Sequence, residues 1–324
     1  MDYRTLRSAL VAGTVAACCI STGTAADAAT AGTASPSPAH TTQSSSWREQ
    51  PGGTDYDYYL ALGDSLAWGL QPNSAGVGIK SGHGYADDLA AYLRRHGDRN
   101  LKYVNLSCPG ETTGTMLDGG CPDLSDSGQS YAVQETAAVT FLKEHPHSRI
   151  LVTLDIGANN VDNCVNSDGT LDSSCIEQGV GEAGTQLPEI LSKLAAAAGK
   201  QVSFVGMNYY DPFLAEWLTG SGGQAVAEES IAVSADFDGV LDAGFAAYDI
   251  PVADVSTAFK TADITDTTSL DGATVPVDVA NICNWTWMCA PAPIGPDIHA
   301  NTAGYGVIAK AFEPLVHVPA RRRH

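Results

Sequence analysis

Apolar and polar positions follow two alternating patterns along this chain. Short, nearly unbroken apolar runs are separated by longer stretches in which apolar residues recur every three or four positions. That is the mark of buried strands joined by amphipathic helices. The run Tyr58-Tyr59-Leu60-Ala61-Leu62 stops at Gly63-Asp64-Ser65, and so reads as a first strand delivering a serine into the turn at its carboxyl end. Further strands are expected from Lys102 to Leu106, Ile150 to Ile156, Val202 to Asn208 and Pro251 to Val255. The first expected helix runs from Tyr85 to His96, carrying Leu89, Tyr92 and Leu93 at helical spacing before Gly97. Others run from Tyr131 to Glu144, from Ile176 to Ala198 with Pro188 splitting it or marking its start, from Gln224 to Tyr248, and from Thr302 to Phe312. Strands alternating with helices imply a parallel sheet with right-handed crossovers, covered on both faces: a single doubly wound α/β domain.

Length and composition agree with that picture. At 324 residues and 44% hydrophobic, the chain can bury one large core with peripheral segments to spare. Its amino end has the parts of an export signal: Arg4 and Arg7, an apolar run from Ala9 to Ile20, then Ala26-Asp27-Ala28. Residues 1–28 are therefore expected to be a signal peptide and residues 29–55 a flexible linker rich in Ala, Ser, Thr and Pro. Residues 56–318 are expected to form the folded domain and residues 319–324 a basic tail. The expected location is extracellular. An alternative is a lipoprotein box at Val15-Ala16-Ala17-Cys18, with Cys18 lipidated, but this would leave Cys19 unpaired at the new terminus. A formal net charge of −20 argues against a nucleic-acid partner, because phosphate binding needs clustered Lys and Arg. The one basic run, Arg321-Arg322-Arg323, reads as a solvated end.

With the signal removed, six cysteines remain: Cys108, Cys121, Cys164, Cys175, Cys283 and Cys289. Their spacing suggests three local bridges, 108 to 121, 164 to 175 and 283 to 289, each worth about 2–3 kcal/mol in the chain-entropy account. The competing reading, a metal site, lacks a Cys-x-x-Cys pair and has only scattered histidines to draw on.

Loops that follow the strands of a parallel sheet emerge on one edge, so residues distant in sequence converge there. Those loops supply Ser65, Gly110, whose backbone N–H a ligand can approach closely, and Asn159, whose amide can donate to an oxygen. Asp297 and His299 come just before the last helix. Individually each has a bland reading: Ser65, Asn159 and His299 as helix caps, Gly110 as a turn glycine. Jointly, a serine, a base and two donors on one edge point to acyl chemistry.

These residues carry a family resemblance. Gly63-Asp64-Ser65-Leu66 with Gly69, the stretch from Asn105 to Gly110, Gly157-Ala158-Asn159-Asn160, and Asp297-Ile298-His299 before Asn301 occur in the order of four sequence blocks. The chain resembles the GDSL esterases and lipases, or SGNH hydrolases, and looks like their secreted actinobacterial members. The resemblance implies a three-layer α/β/α domain with a parallel, flavodoxin-like sheet. It implies Ser65 as nucleophile, His299 as base, and an oxyanion hole made by the Ser65 and Gly110 backbone N–H groups with the Asn159 side chain. No metal and no cofactor would be needed. The partner would be a small-molecule or lipid ester, with transient contact to a lipid or polysaccharide surface and a monomeric protein. A carbohydrate esterase removing acetyl groups would use the same site. A surface glycan- or lipid-binding module that has lost activity is the alternative from another class.

Two positions depart from the family pattern. The acid usually stands three residues before the histidine, where this chain has Pro296; Asp297 is two before, and a one-residue shift in extended backbone turns a side chain to the other side. Asp297 reaching His299 by a local bend is favoured over a backbone carbonyl, such as that of Pro296, in its place. Asn160 stands where the family commonly has Asp, a change that touches loop support. The bridges would stiffen the loops carrying Gly110 and Asn159. Trp285, Trp287 and Met288 within the third cysteine loop either line an acyl or sugar site or pack in the interior.

Overall fold

The structure, a computed structural model, describes residues 56–165 and 170–317. The expected signal peptide, Cys18, the whole of the expected linker and the run Arg321 to Arg323 lie outside the described residues. Five parallel strands make the central sheet: β1 (Tyr58–Gly63), β2 (Lys102–Asn105), β3 (Ile150–Asp155), β4 (Val202–Met207) and β5 (Val252–Ala253). Their spatial order is β2-β1-β3-β4-β5. β1 pairs with β3 from Tyr58 opposite Ile150 to Gly63 opposite Asp155. Every residue of β3, and all but the first of β1, is buried, which is why both read as continuous apolar runs rather than alternating ones. Thr153 is polar within that run, and its hydroxyl meets Tyr59 Oη at 2.9 Å.

Five long helices cover the sheet: α1 (Tyr85–His96), α2 (Gln134–Glu144), α3 (Ser173–Ala197), α4 (Ser221–Ala246) and α5 (Thr302–Phe312). α1 packs with α5, Tyr85 stacking on Phe312 at 4.9 Å, whereas α3 packs between α2 and α4. The doubly wound α/β reading holds, and α1 and α5 begin and end at the expected residues. Other bounds shift for local reasons. α3 starts at Ser173, earlier than expected, because the Asp172 side chain accepts from the N–H groups of Ser174 and Cys175. Pro188 neither splits nor starts it; a helix packed on both sides absorbs the lost hydrogen bond. β5 is two residues long, since Asp254 accepts from Thr257 N and caps a short helix, Val255–Phe259. Two antiparallel hairpins, Leu70–Pro72 with Gly78–Lys80 and Thr267–Leu270 with Ala273–Pro276, were not expected.

The strand order reverses between β1 and β3. The crevice outside the carboxyl ends of strands at such a switch point is where open α/β sheets bind ligands. Ser65 follows β1 and Asn159 follows β3.

Candidate active site

β1 ends in a backbone conformation that only glycine takes easily: Gly63 has φ +131°, and a Cβ there would lie 2.0 Å from the Asp155 carbonyl oxygen. Asp64 then caps the four-residue helix Ser65–Trp68, its carboxylate accepting from Leu66 N at 2.9 Å. Ser65 is thereby held, nearly buried, at the wall of a cleft.

His299 approaches from the opposite side. Its Nε2 lies 2.8 Å from Ser65 Oγ and its Nδ1 2.7 Å from Asp297 Oδ1. Asp297 Oδ1 also accepts from the His299 backbone N–H at 2.9 Å. That turn swings a carboxylate placed only two residues ahead round to the ring, so the partner of Nδ1 is Asp297 and not the Pro296 carbonyl. The segment hangs on backbone bonds rather than on the sheet. Trp287 N donates to His299 O at 3.0 Å, Asp297 N to Trp287 O at 3.2 Å and Asn301 N to Trp285 O at 2.9 Å. Tyr210 Oη adds a bond to Ile298 O at 2.8 Å, and the disulfide between Cys283 and Cys289 closes the supporting loop. Trp285 packs edge-on against Phe259, with ring centroids 5.2 Å apart. Trp285, Trp287 and Met288 are not among the residues lining the cleft, and Trp285 and Met288 pack against the hydrophobic core.

Charge favours a basic imidazole. Burial alone would lower the His299 pKa, but the hydrogen bond and charge of Asp297, aided by Asp64 and Asp162, raise it above its ordinary value. Burial would raise Asp297, and the hydrogen bonds and charge of His299 instead hold it below the usual carboxylate range. Beneath the serine, Asp64 accepts from Tyr209 Oη at 2.9 Å, and Asp155 from Tyr85 Oη at 2.7 Å and Ala67 N at 3.1 Å. Burial pushes both acids up, Asp155 furthest because Asp64 lies beside it.

Asn159 sits on the short turn Ala158–Asn160 and lines the same cleft as Ser65 and His299. One amide hydrogen goes to Glu111 O at 3.0 Å, leaving the other for a ligand. Gly110, with φ +79°, lies in the loop after β2, which the disulfide between Cys108 and Cys121 closes. Asn160 grips Thr113, accepting from its N–H at 3.0 Å and donating to its hydroxyl at 2.8 Å, and so ties the two loops together. The third disulfide, Cys164 to Cys175, closes the segment after Asn159, and Cys164, Val165, Leu171 and Ile176 form one wall of the cleft. Phe213, Val233 and Phe237 line it as well. Among the described residues the one cluster with metal-ligand spacing is Cys108, Glu111 and Cys121, whose two sulfurs are bonded to each other.

Sequence reasoning passed over Tyr209 and Tyr210. A signal was there: they follow Asn208 at the carboxyl end of the fourth expected strand, on the edge already known to converge. Gln134 and Glu111 gave none.

The model of the GDSL-like lipase/acylhydrolase family matches residues 61–307. The chain belongs to that family. The match spans the segments carrying Ser65, Gly110, Asn159 and His299. Among solved structures, a variant of an acetyl xylan esterase from Geobacillus stearothermophilus is 14% identical, with a TM-score of 0.48 over 84% of this chain and 99% of its own. An extracellular lipase from Streptomyces rimosus is 17% identical, with a TM-score of 0.40 over 70% and 98%. A phospholipase A1 from Streptomyces albidoflavus NA297 is 16% identical, with a TM-score of 0.39 over 71% and 98%. The different esters these names denote belong to those proteins. None of the curated proteins compared with the chain matches it.

Proposed function

We propose that this member of the GDSL family is a secreted hydrolase of carboxylic esters that works through an acyl-enzyme. The observation that carries the reading is the hydrogen-bonded row of Ser65 Oγ, His299 and Asp297, at 2.8 and 2.7 Å. In it Ser65 attacks the ester carbonyl while His299 takes the serine proton and returns it to the leaving alcohol; water then repeats the cycle on the acyl-enzyme. Asp297 fixes the imidazole tautomer and stabilises the imidazolium. The Ser65 and Gly110 N–H groups and the free Asn159 amide hydrogen receive the charge that appears on the carbonyl oxygen, each such donor being worth about 3 kcal/mol.

The apolar walls around Ser65 support an aliphatic acyl group larger than acetyl. Three disulfides and the signal-like amino end support export, with the expected domain bounds at residues 56–318. The test is hydrolysis of a nitrophenyl ester series by oxidised wild type and Ser65→Ala. Wild-type turnover that falls by about 10³-fold or more in Ser65→Ala is expected. Turnover surviving in Ser65→Ala would overturn the assignment, and acetate release from acetylated xylan outpacing all longer acyl esters would move the substrate to carbohydrate.

A further inference from the structure

Gln134 opens α2, is almost wholly buried, and does not touch the cleft. Its side-chain amide is nevertheless fully engaged with the two loops that flank it. Oε1 accepts from Gly63 N at 2.6 Å, while Nε2 donates to Gly63 O at 3.0 Å and to Glu111 Oε2 at 2.7 Å. Gly63 is two residues before Ser65, and Glu111 directly follows Gly110. Glu111 O in turn accepts from Asn159 Nδ2 at 3.0 Å. One side chain thus joins the loops that carry all three donors assigned above to the developing oxyanion. Gly63 O also accepts from Cys108 N at 3.1 Å, so the Gly110 loop meets the end of β1 twice.

We propose that Gln134 is a positioning residue for the oxyanion site: it clamps the Gly63 peptide to the Glu111 carboxyl and so sets the spacing of the Ser65, Gly110 and Asn159 donors. This rests on the hydrolase reading. The demand is geometric, because misplacement by about 1 Å can cost roughly 10²-fold in rate. Glu111 Oε1 is buried and makes no hydrogen bond. The carboxyl is held through Oε2 by Gln134 Nε2, with the Thr115 hydroxyl as its other side-chain neighbour. Glutamine suits the position since it alone among side chains of its length offers an acceptor and two donors together without charge.

The test compares the rate at which a nitrophenyl phosphonate labels Ser65 with kcat and KM on a nitrophenyl ester, in wild type, Gln134→Leu and Gln134→Glu. Folding is checked by thermal melt. In Gln134→Leu, labelling and kcat are expected to fall together by about 10- to 100-fold, with KM little changed. Glu at this position accepts from Gly63 N–H but donates only when protonated, so the activity of Gln134→Glu relative to wild type is expected to climb as pH falls. A folded Gln134→Leu that labels within twofold of wild type overturns the proposal. If Gln134→Leu does not fold, a pH-independent ratio for Gln134→Glu overturns it instead. Wild type that takes no label removes the hydrolase reading, and this inference with it.

Discussion

The two halves of the hydrogen-bonded row of Ser65, His299 and Asp297 are held by different means. Ser65 and Asn159 leave the ends of β1 and β3, adjacent strands buried but for the first residue of β1, and their loops are tied by the buried side chains of Asp64, Asp155 and Gln134 and by the half-buried Asn160. Asp297 and His299 belong to no strand of the sheet. They lie on a loop carried mainly by backbone bonds to residues 285–287, with the Tyr210 hydroxyl and the Asn301 amide as side-chain ties and a disulfide closing the support. Each half is therefore vulnerable in a different way. The serine side fails through loss of a buried polar contact, whereas the histidine side fails through slackening of a covalently closed loop.

The sharpest way to break this contrast is on the histidine side, at the carboxylate. Asp297→Ala should lower kcat/KM by about 10³-fold or more, because the imidazole loses both its tautomer and its countercharge. A loss under about tenfold would return the role to a backbone carbonyl. The pH profile gives an independent reading. His299 must be neutral to act as base, and its pKa is raised by the Asp297 bond and charge. Activity should therefore rise with pH through a limb lying above the ordinary histidine pKa of about 6.5. In Asp297→Asn the residual activity should show that limb moved to lower pH, as loss of a raising charge requires.

A smaller effect is expected from opening the support. The double variant Cys283→Ser with Cys289→Ser should lose about 2 kcal/mol of stability, the entropy of one short loop. It should also lose roughly tenfold in kcat with KM unchanged, as a base held less exactly in place would do. Stability loss without any change in kcat would show that the bridge braces the loop but not the base. Smallest of all is Trp285→Ala. Since this ring packs on Phe259 and not in the cleft, the preference among short and long acyl esters should keep its shape while total activity drops. A shifted preference would place the ring in the acyl site.

The same contrast explains what could be read from the chain. β1, β3, α1 and α5 announce themselves because burial on both faces, or on one helical stripe, writes a local pattern. Ser65 stood out since an apolar run stopped at it. Asp297 was ambiguous because the family's acid stands three residues before the histidine and a one-residue shift in extended backbone turns a side chain to the other side. The bond from the His299 N–H to Asp297 Oδ1, which no local pattern announces, fixes the carboxylate against the ring. The hairpin at Thr267–Pro276 did carry a signal: Asp271 and Gly272 both take positive φ, at 48° and 86°, the turn that Asp-Gly favours. Gln134 could not be found this way. Its bonds span 71 residues to Gly63 and 23 to Glu111, and a buried amide on a helix leaves no periodic trace.

The proposed mechanism stands on Ser65 as the activated nucleophile. Mass spectrometry of the oxidised protein after reaction with a serine-directed phosphonate tests it most directly. One adduct per chain is predicted, on the peptide containing Ser65, absent from Ser65→Ala and much slower to form in His299→Ala. An unmodified wild type, or an adduct on another residue, would contradict the account.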